Sequence, residues 1–546
     1  MQTLIKSFLV LLLSSITFSA SAQQYAQTTS FTGKKQYRYS DSFTDYEVQV
    51  KGDIKVNDND TRITSISPGG YLKVSKKTFG NKRSLIIESN SSGLLSYEFY
   101  EGRKEVPFDP EGKEWLADVL LDIVRMTGID AENRTKRIYK QDGIDGFLEE
   151  VSEISSNSTS ALYFEILLKQ FKLNTDELVA VSSMISRDLS SNAERGRLYR
   201  EFSDIFLVNN TVAITYFESI SRMSSNSERG SVLRKISKEI DFTNHKVTDA
   251  YFTCIDRMSS NSEMGSVMRN VIRTQSLSNE AYGRLLMSVK KLSSNSEMGS
   301  VLRSLKNIDI NNPGITTAYF NAIDVMSSNS EAGSTLRYLI KNYKLNNESY
   351  TRLLGSVKKL SSNTEMGSVM RSMTDVDISN SEVNIAYFLV ISTMSSNSEA
   401  GSVIRYTINS YSLNTDNWVN LFASASKLSS STELGQVLRT ALKKLPFNKP
   451  ELDAFLTTTG RITSNSEKSR VLMDMVESSN LTKYACNGLL ESARRLSSNT
   501  EKSKVLRAVA KTEFIKDPDI RTTYKIVAKT LSSDSEYRSV IDVLVD

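Results

Sequence analysis

One pattern, Ser-Ser-Asn-Ser-Glu-x-Gly-Ser-Val-Leu-Arg, seen most fully at Ser224–Arg234, limits what this chain can become. Its glutamate recurs as Glu194, Glu228, Glu263, Glu297, Glu331, Glu365, Glu399, Glu433, Glu467, Glu501 and Glu536, always 34 or 35 residues apart. A fixed period of that length marks a stacked-repeat fold, in which a unit cannot bury its apolar face alone and must pack on its neighbours. Each unit carries two helical patterns. The second starts at the motif, with Val232, Leu233, Ile236 and Ile240 on one face. The first carries an aromatic and aliphatic set, as in Tyr319, Phe320, Ile323 and Met326. Two helices of about twelve residues and two short turns fill such a period.

A longer period lies over the first. Asn279–Leu292 nearly repeats as Asn347–Leu360, and the Tyr-Phe pairs at 251, 319 and 387 are likewise two units apart. The central array is thus built from a two-repeat block.

The motif residues have local explanations. Ser225-Asn-Ser-Glu228 fits a capping box, in which the serine accepts from the amide three residues on and the glutamate reaches back to the serine amide. Ser225 or Asn226 is the cap; the sequence does not separate them. Glu263, Glu297, Glu331, Glu365 and Glu399 repeat the role, and each carboxylate complements the helix dipole. The glycine two residues on is replaced only by Ser469, Ser503 and Arg538; inside a helix it needs a packing reason, and close approach of a neighbouring helix supplies one. The arginine six residues after the glutamate gives Arg200, Arg234, Arg269, Arg303, Arg337, Arg371, Arg405, Arg439 and Arg507, with Met473 and Asp542 breaking the series. Its structural reading is a bond to a neighbouring repeat's carboxylate, turn carbonyl or asparagine. Its functional reading is a ladder facing an anionic ligand, for which Arg234, Arg269, Arg303, Arg337, Arg371, Arg405 and Arg439 are the candidates.

The N-terminal part reads differently. Lys6, the apolar run 7–18 and Ala20-Ser-Ala22 describe a secretory signal peptide over residues 1–22, which implies export, in a bacterium to the periplasm. Residues 23–107 hold short β-type runs separated by turn signals such as Asn57-Asp-Asn-Asp60, Pro68-Gly-Gly70 and Gly80-Asn81. Asp109-Pro110-Glu111 reads as an N-cap opening a helix through Trp115, Leu116, Val119, Leu120, Ile123 and Met126 to Gly128. Residues 108–150 form a helical junction, and 151–546 the array of about eleven or twelve units, its first and degenerate copy at Ser155–Thr159. The fold class is therefore α+β multidomain: a small N-terminal antiparallel β-domain, then a long all-α right-handed solenoid of 34-residue helical hairpins, generic and HEAT-like.

Chemistry finds little footing. The single histidine, His245, and two remote cysteines, Cys254 and Cys486, leave zinc sites and Ser-His-Asp or Cys-His nucleophiles without support. His245 reads as a loop residue. Cys254 is matched by Ala322 and Val390 at successive 68-residue steps, a small apolar packing position. Asn57–Asp60 lacks the downstream glycine and glutamate of a calcium loop. No cofactor is expected, and no catalytic or metal residue. A net charge of +5 over 546 residues, with both signs interspersed, points to neither nucleic acid nor a basic membrane face.

Gly52-Asp-Ile-Lys-Val-Asn-Asp-Asn-Asp60, Ile66-Ser-Pro-Gly-Gly-Tyr71 and Glu105–Leu116 resemble the extracytoplasmic region behind bacterial membrane metallopeptidases of the β-lactam sensor-transducer type. The resemblance covers about residues 45–200. The peptidase's transmembrane helices and His-Glu-x-x-His are missing, so the resemblance implies an exported sensory or scaffold module without peptidase activity. The expected function is a non-enzymatic scaffold offering an extended surface to a protein or peptide. The alternative is a binder of an anionic envelope polymer through the arginine ladder.

Overall fold

The computed structural model describes the backbone of residues 25–31 and the full residues 33–40 and 43–544. The signal peptide expected over residues 1–22 lies outside the described residues. Contacts divide the chain into two units, one up to Ile240 and one from Asp241.

The first unit opens with nine strands: β1 (Tyr25–Phe31), β2 (Lys34–Ser40), β3 (Thr44–Lys51), β4 (Ile54–Val56), β5 (Ile63–Ile66), β6 (Tyr71–Thr78), β7 (Asn81–Ser89), β8 (Leu95–Glu101) and β9 (Lys104–Val106). Seven make one antiparallel sheet in the order β1-β2-β3-β6-β7-β8-β9, and β4 and β5 form a separate hairpin. Strict alternation in β3 buries Tyr46, Val48 and Val50, and the same face receives Leu72, Val74, Leu85, Ile87 and Phe99. The helix α1 (Lys113–Thr127) covers this face with Trp115, Leu116, Val119, Leu120, Ile123 and Val124, and the Tyr46 hydroxyl donates to the Val119 carbonyl at 3.3 Å.

Asp109-Pro110 does not cap this helix. The segment Phe108–Gly112 makes a separate wide turn, and α1 starts at Lys113 after Gly112, with no side-chain cap. Gly112 lies against Phe108 and Phe99, where a Cβ would come within 2.7 and 3.0 Å of their rings. Packing under those rings, rather than a polar cap, sets where the helix begins.

Next comes α2 (Ala131–Ser152), broken at Gly143, where φ is 65°. Its Arg134 is 1% exposed and donates to Asp60 at 2.9 Å, to Glu150 at 3.1 Å and to the Tyr163 hydroxyl. Arg137 also reaches Asp60, at 2.8 Å. A buried guanidinium is tolerable only when its donors are satisfied by charge-assisted bonds, and this one joins the β4–β5 turn to the helices. Asn57–Asp60 is thus a hairpin turn that also carries an anchoring carboxylate.

The remaining helices form the repeats. In the first unit the motif helices are Asn157–Gln170, Asn192–Glu201 and Asn226–Ile236, and the helices leading into motifs are Thr175–Asp188 and Asn210–Ser221. In the second unit, leading helices from His245–Asp256 to Pro518–Ala528 alternate with motif helices from Asn261–Thr274 to Asp534–Asp542. There each leading helix packs on the next leading helix and each motif helix on the next motif helix, giving two layers. The Tyr-Phe pairs at 251, 319 and 387 are buried between them, with ring centroids 5.5–5.8 Å apart.

Candidate functional site

Each motif helix begins at its asparagine, or at Ser431 or Asp534 in that place, with the serine before it as N-cap. Ser225 accepts from the Glu228 amide at 3.3 Å, and the amides of Glu263, Glu297, Glu331, Glu365 and Glu399 are held in the same way at 3.3–3.4 Å. The cap is therefore Ser225, and Asn226 is the first helical residue. The reciprocal half of the capping box is not made. Ser294 gives its amide to Asn261 of the preceding repeat, whose Oδ1 accepts from Ser293 at 2.8 Å and Ser294 at 3.3 Å while Nδ2 donates to Ser293 Oγ at 2.8 Å. Asn295, Asn329, Asn363 and Asn397 repeat this in turn, as does Asn192 in the first unit. One amide side chain satisfies two backbone donors and one hydroxyl of the next unit, which uses its acceptor and a donor together. The Ser-Asn turns are a stacking register.

Released from the cap, the glutamate carboxylate turns to the preceding repeat's arginine. Arg200 meets Glu228 at 2.8 Å, Arg269 meets Glu297 at 2.6 Å, Arg303 meets Glu331 at 3.1 Å and Arg337 meets Glu365 at 2.6 Å. Arg371–Glu399 and Arg405–Glu433 follow at 3.1 and 2.8 Å, and Arg439–Glu467 is looser at 3.7 Å. Arg234 holds the equivalent place on the last motif helix of the first unit. The glycine lies beneath this crossing. A Cβ on Gly265, Gly299, Gly333, Gly367 or Gly401 would fall 2.2–2.7 Å from the glutamate Oε2 of the next repeat. Close approach is indeed the reason for the glycine, and what approaches is a carboxylate. Where Ser503 replaces the glycine, its hydroxyl donates to Glu536; where Met473 replaces the arginine, Glu501 accepts from Lys504 at 2.8 Å instead.

Each of these seven arginines is paired with a glutamate, and their side chains are only 27–32% exposed. The motif holds repeats together through its asparagine, its glutamate and its arginine.

The leading helices offer a different surface. Asp256 accepts from Arg284 at 2.9 Å and from Lys291 at 2.7 Å, and one block later Asp324 accepts from Arg352 at 2.9 Å and from Lys359 at 2.6 Å. Arg284 also lies 5.7 Å from the Phe252 ring centre, as Arg352 lies 5.6 Å from that of Phe320, a favourable cation–ring contact. Burial alone would raise the Asp324 carboxyl; hydrogen bonds from Lys359, Ser356 and Arg352 outweigh it and hold the group below the usual carboxylate range. These pairs are the physical content of the two-repeat block, and the identical Arg-Leu-Leu at 284–286 and 352–354 was their signal in the sequence.

Beside these pairs the leading helices expose apolar side chains. Ile385 and Leu389 on Ser381–Thr393 are 61% and 44% exposed, and Val419 on the adjacent Thr415–Ala425 is 39% exposed. Met287, Val325, Tyr484 and Ile526 complete the large apolar side chains that the second unit exposes among its described residues, and each lies on a leading helix or at its C-terminal end. None is on a motif helix.

His245 is the exposed first residue of the helix His245–Asp256 rather than a loop residue, beside a shallow concavity that Asp249, Glu280, Arg284 and Met287 also line. Both cysteines are free and buried, and burial pushes the Cys486 thiol up to about 11, which suits packing and not reactivity. Among the described residues no three potential ligands gather for a metal, and no helix is long and apolar enough to cross a membrane.

No protein-family model matches the chain, and no curated protein resembles it closely in sequence. Solved structures similar to it are helical-repeat proteins. They include a chain of a homology model of the full-length AP-3 complex in an intermediate open conformation, at 14% identity over 79% of this chain and 86% of that one, with a TM-score of 0.27. The pentatricopeptide repeat protein PPR10 from maize is 14% identical over 78% of this chain and 67% of that one, with a TM-score of 0.23. A chain of the Chs5–Bch1 exomer cargo adaptor complex is 11% identical over 87% and 84%, with a TM-score of 0.16. Identities and TM-scores are low throughout.

Proposed function

We propose that this protein is a non-enzymatic scaffold that binds a protein or peptide segment on its leading-helix surface, and that it works outside the cytoplasm after loss of residues 1–22. One observation carries the reading. The large apolar side chains that the second unit exposes lie with its leading helices, while the motif helices spend their recurring polar set on stacking. Solvent-exposed apolar side chains grouped on one layer mark an interaction surface when they recur on adjacent elements. Ile385, Leu389 and Val419 form its centre, with Glu382 and Asp416 at the starts of the same helices and Lys427 past the end of the second. A partner offering two or three apolar side chains between charges of both signs suits it.

A photoreactive amino acid at Ile385 tests this. It should form an adduct with a partner that is lost when Leu389 and Val419 are changed to aspartate, whereas the same probe at the motif residue Ser330 should form none. Adducts from Ser330 alone would sink the reading, and RNA in the Ile385 adduct would replace the partner class. Sequencing of the mature N-terminus tests export.

A further inference from the structure

Three stretches share one end of the seven-stranded sheet: Phe43 just before β3, the β6–β7 turn at Phe79-Gly80 and the β8–β9 turn at Gly102-Arg103. The register places them together, with Thr44 opposite Thr78, Thr78 opposite Asn81 and Arg83 opposite Glu101. The Phe79 amide donates to the Phe43 carbonyl at 3.0 Å, and the two ring centres are 5.2 Å apart. Both rings nevertheless stand in water, Phe43 64% and Phe79 76% exposed.

Phe79 has φ +49° and Gly80 +86°. A two-residue hairpin turn with both central residues left-handed prefers asparagine or glycine at the first of them, and a bulky residue there is strained by about 1–2 kcal/mol. The ring does not recover that cost by burial, since three quarters of it stays exposed. A strained aromatic held out at a tip is explained by contact with something outside the fold.

The charges around the rings say what. Residues 41–45, 76–83 and 101–105 contain six lysines and arginines against four acids. Lys76 leans on the Tyr46 ring and toward Asp122 at 3.6 Å, and Arg83 pairs with Glu101 at 3.0 Å. Lys77, Lys82, Arg103 and Lys104 make no ion pair among the described residues, and all four are exposed.

We propose that this end of the sheet docks on an anionic lipid surface. Phe43 and Phe79 enter the boundary between headgroups and acyl chains, and Lys77, Lys82, Arg103 and Lys104 meet the anionic headgroups. Cations spread over separate tips around a central apolar pair match a flat charged plane with an apolar interior.

Sedimentation of the chain from Gln23 onward, which keeps every described residue, with vesicles tests this. Vesicles of phosphatidylcholine with phosphatidylglycerol should carry the protein down, and raised salt should weaken the binding. Lys77→Ala with Lys82→Ala should weaken it about thirty-fold, at roughly five-fold per cation. Phe79→Asn with Phe43→Ser should abolish it. Asparagine suits the turn better than phenylalanine, so Tm for Phe79→Asn alone should hold or rise, which separates lost docking from lost folding. Equal binding to pure phosphatidylcholine, no binding to the anionic vesicles, or variants that bind as the wild type does would each overturn the proposal.

Discussion

Gly333 lies where two side chains cross, and its missing methyl makes room for them. A Cβ there would stand 2.3 Å from Glu365 Oε2 and 3.2 Å from Arg337 Nη1. Alanine improves the helix by about 1 kcal/mol over glycine, while a half-exposed ion pair contributes about 0.5–1 kcal/mol. The two nearly cancel, so Gly333→Ala should leave total stability within about 1 kcal/mol of the wild type. What it should remove is the coupling: a double-mutant cycle on Arg337 and Glu365 gives a measurable interaction energy in the wild-type background and none in the Gly333→Ala background. Persistent coupling would mean that the glycine serves backbone approach and not the carboxylate. Of this arrangement, close approach at the glycine and a bond from the arginine to the neighbouring repeat were readable from the sequence, with a helix expected at the first and a carboxylate, turn carbonyl or asparagine at the second. The identity of the carboxylate was not, because the capping box gave the same glutamate a complete local explanation. The chain did hold a clue: Ser469 and Met473 lose the glycine and the arginine together, as Arg538 and Asp542 do.

The start of a motif helix is an element built by two repeats. Ser362 caps its own helix while Asn329, one repeat earlier, accepts the amides of Ser361 and Ser362 at 2.7 and 3.2 Å. The sequence narrowed the cap to the serine or the asparagine but did not show the asparagine's reach to the next repeat, since partners 32 residues apart look unrelated until the stacking is known. Asn329→Ala leaves two amides to water at a turn that is already partly wet, and should cost about 1–2 kcal/mol, two bonds at their net worth. Hydrogen exchange should quicken at Ser361 and Ser362 and not at Ser395. Serine should rescue part of the loss, because Ser431 stands at the asparagine position and still accepts from the amides of Thr463 and Ser464 at 3.2 and 3.3 Å. Loss at Ser361 equal for alanine and serine would show that the side-chain oxygen is not the acceptor that matters. The strands were legible from alternation in the same local way, whereas the edge strands β1 and β9 were not, having no alternating apolar set to betray them.

For the array as a whole, the two-repeat block makes length a variable that can be changed in only one step size. Stability of stacked repeats is a sum of unit and interface contributions, so a deletion that restores every interface should cost only the units removed. Deleting residues 279–346 brings Asn347 to the place of Asn279. Arg352 then faces Asp256 at the 28-residue separation that Arg284 has now, and Arg269 faces Glu365 in place of Glu297. Deleting only residues 279–312 also keeps the motif ladder, since Arg269 meets Glu331. It brings Ala318 opposite Asp256, however, and Val325 to the place of Lys291. Asp256 is 6% exposed and would keep its charge without either cation. An uncompensated buried charge costs about 3–5 kcal/mol. The longer deletion should therefore unfold in one cooperative denaturant transition, at a midpoint close to the wild type's, and the shorter one at a lower midpoint despite losing half as much chain. Asp256→Ser, the residue type that stands at Ser392 one block beyond Asp324, should restore most of the difference in the shorter variant. If the 34-residue deletion proves the more stable of the two, the block is a trace of how the sequence grew and not a rule of how its leading helices pack.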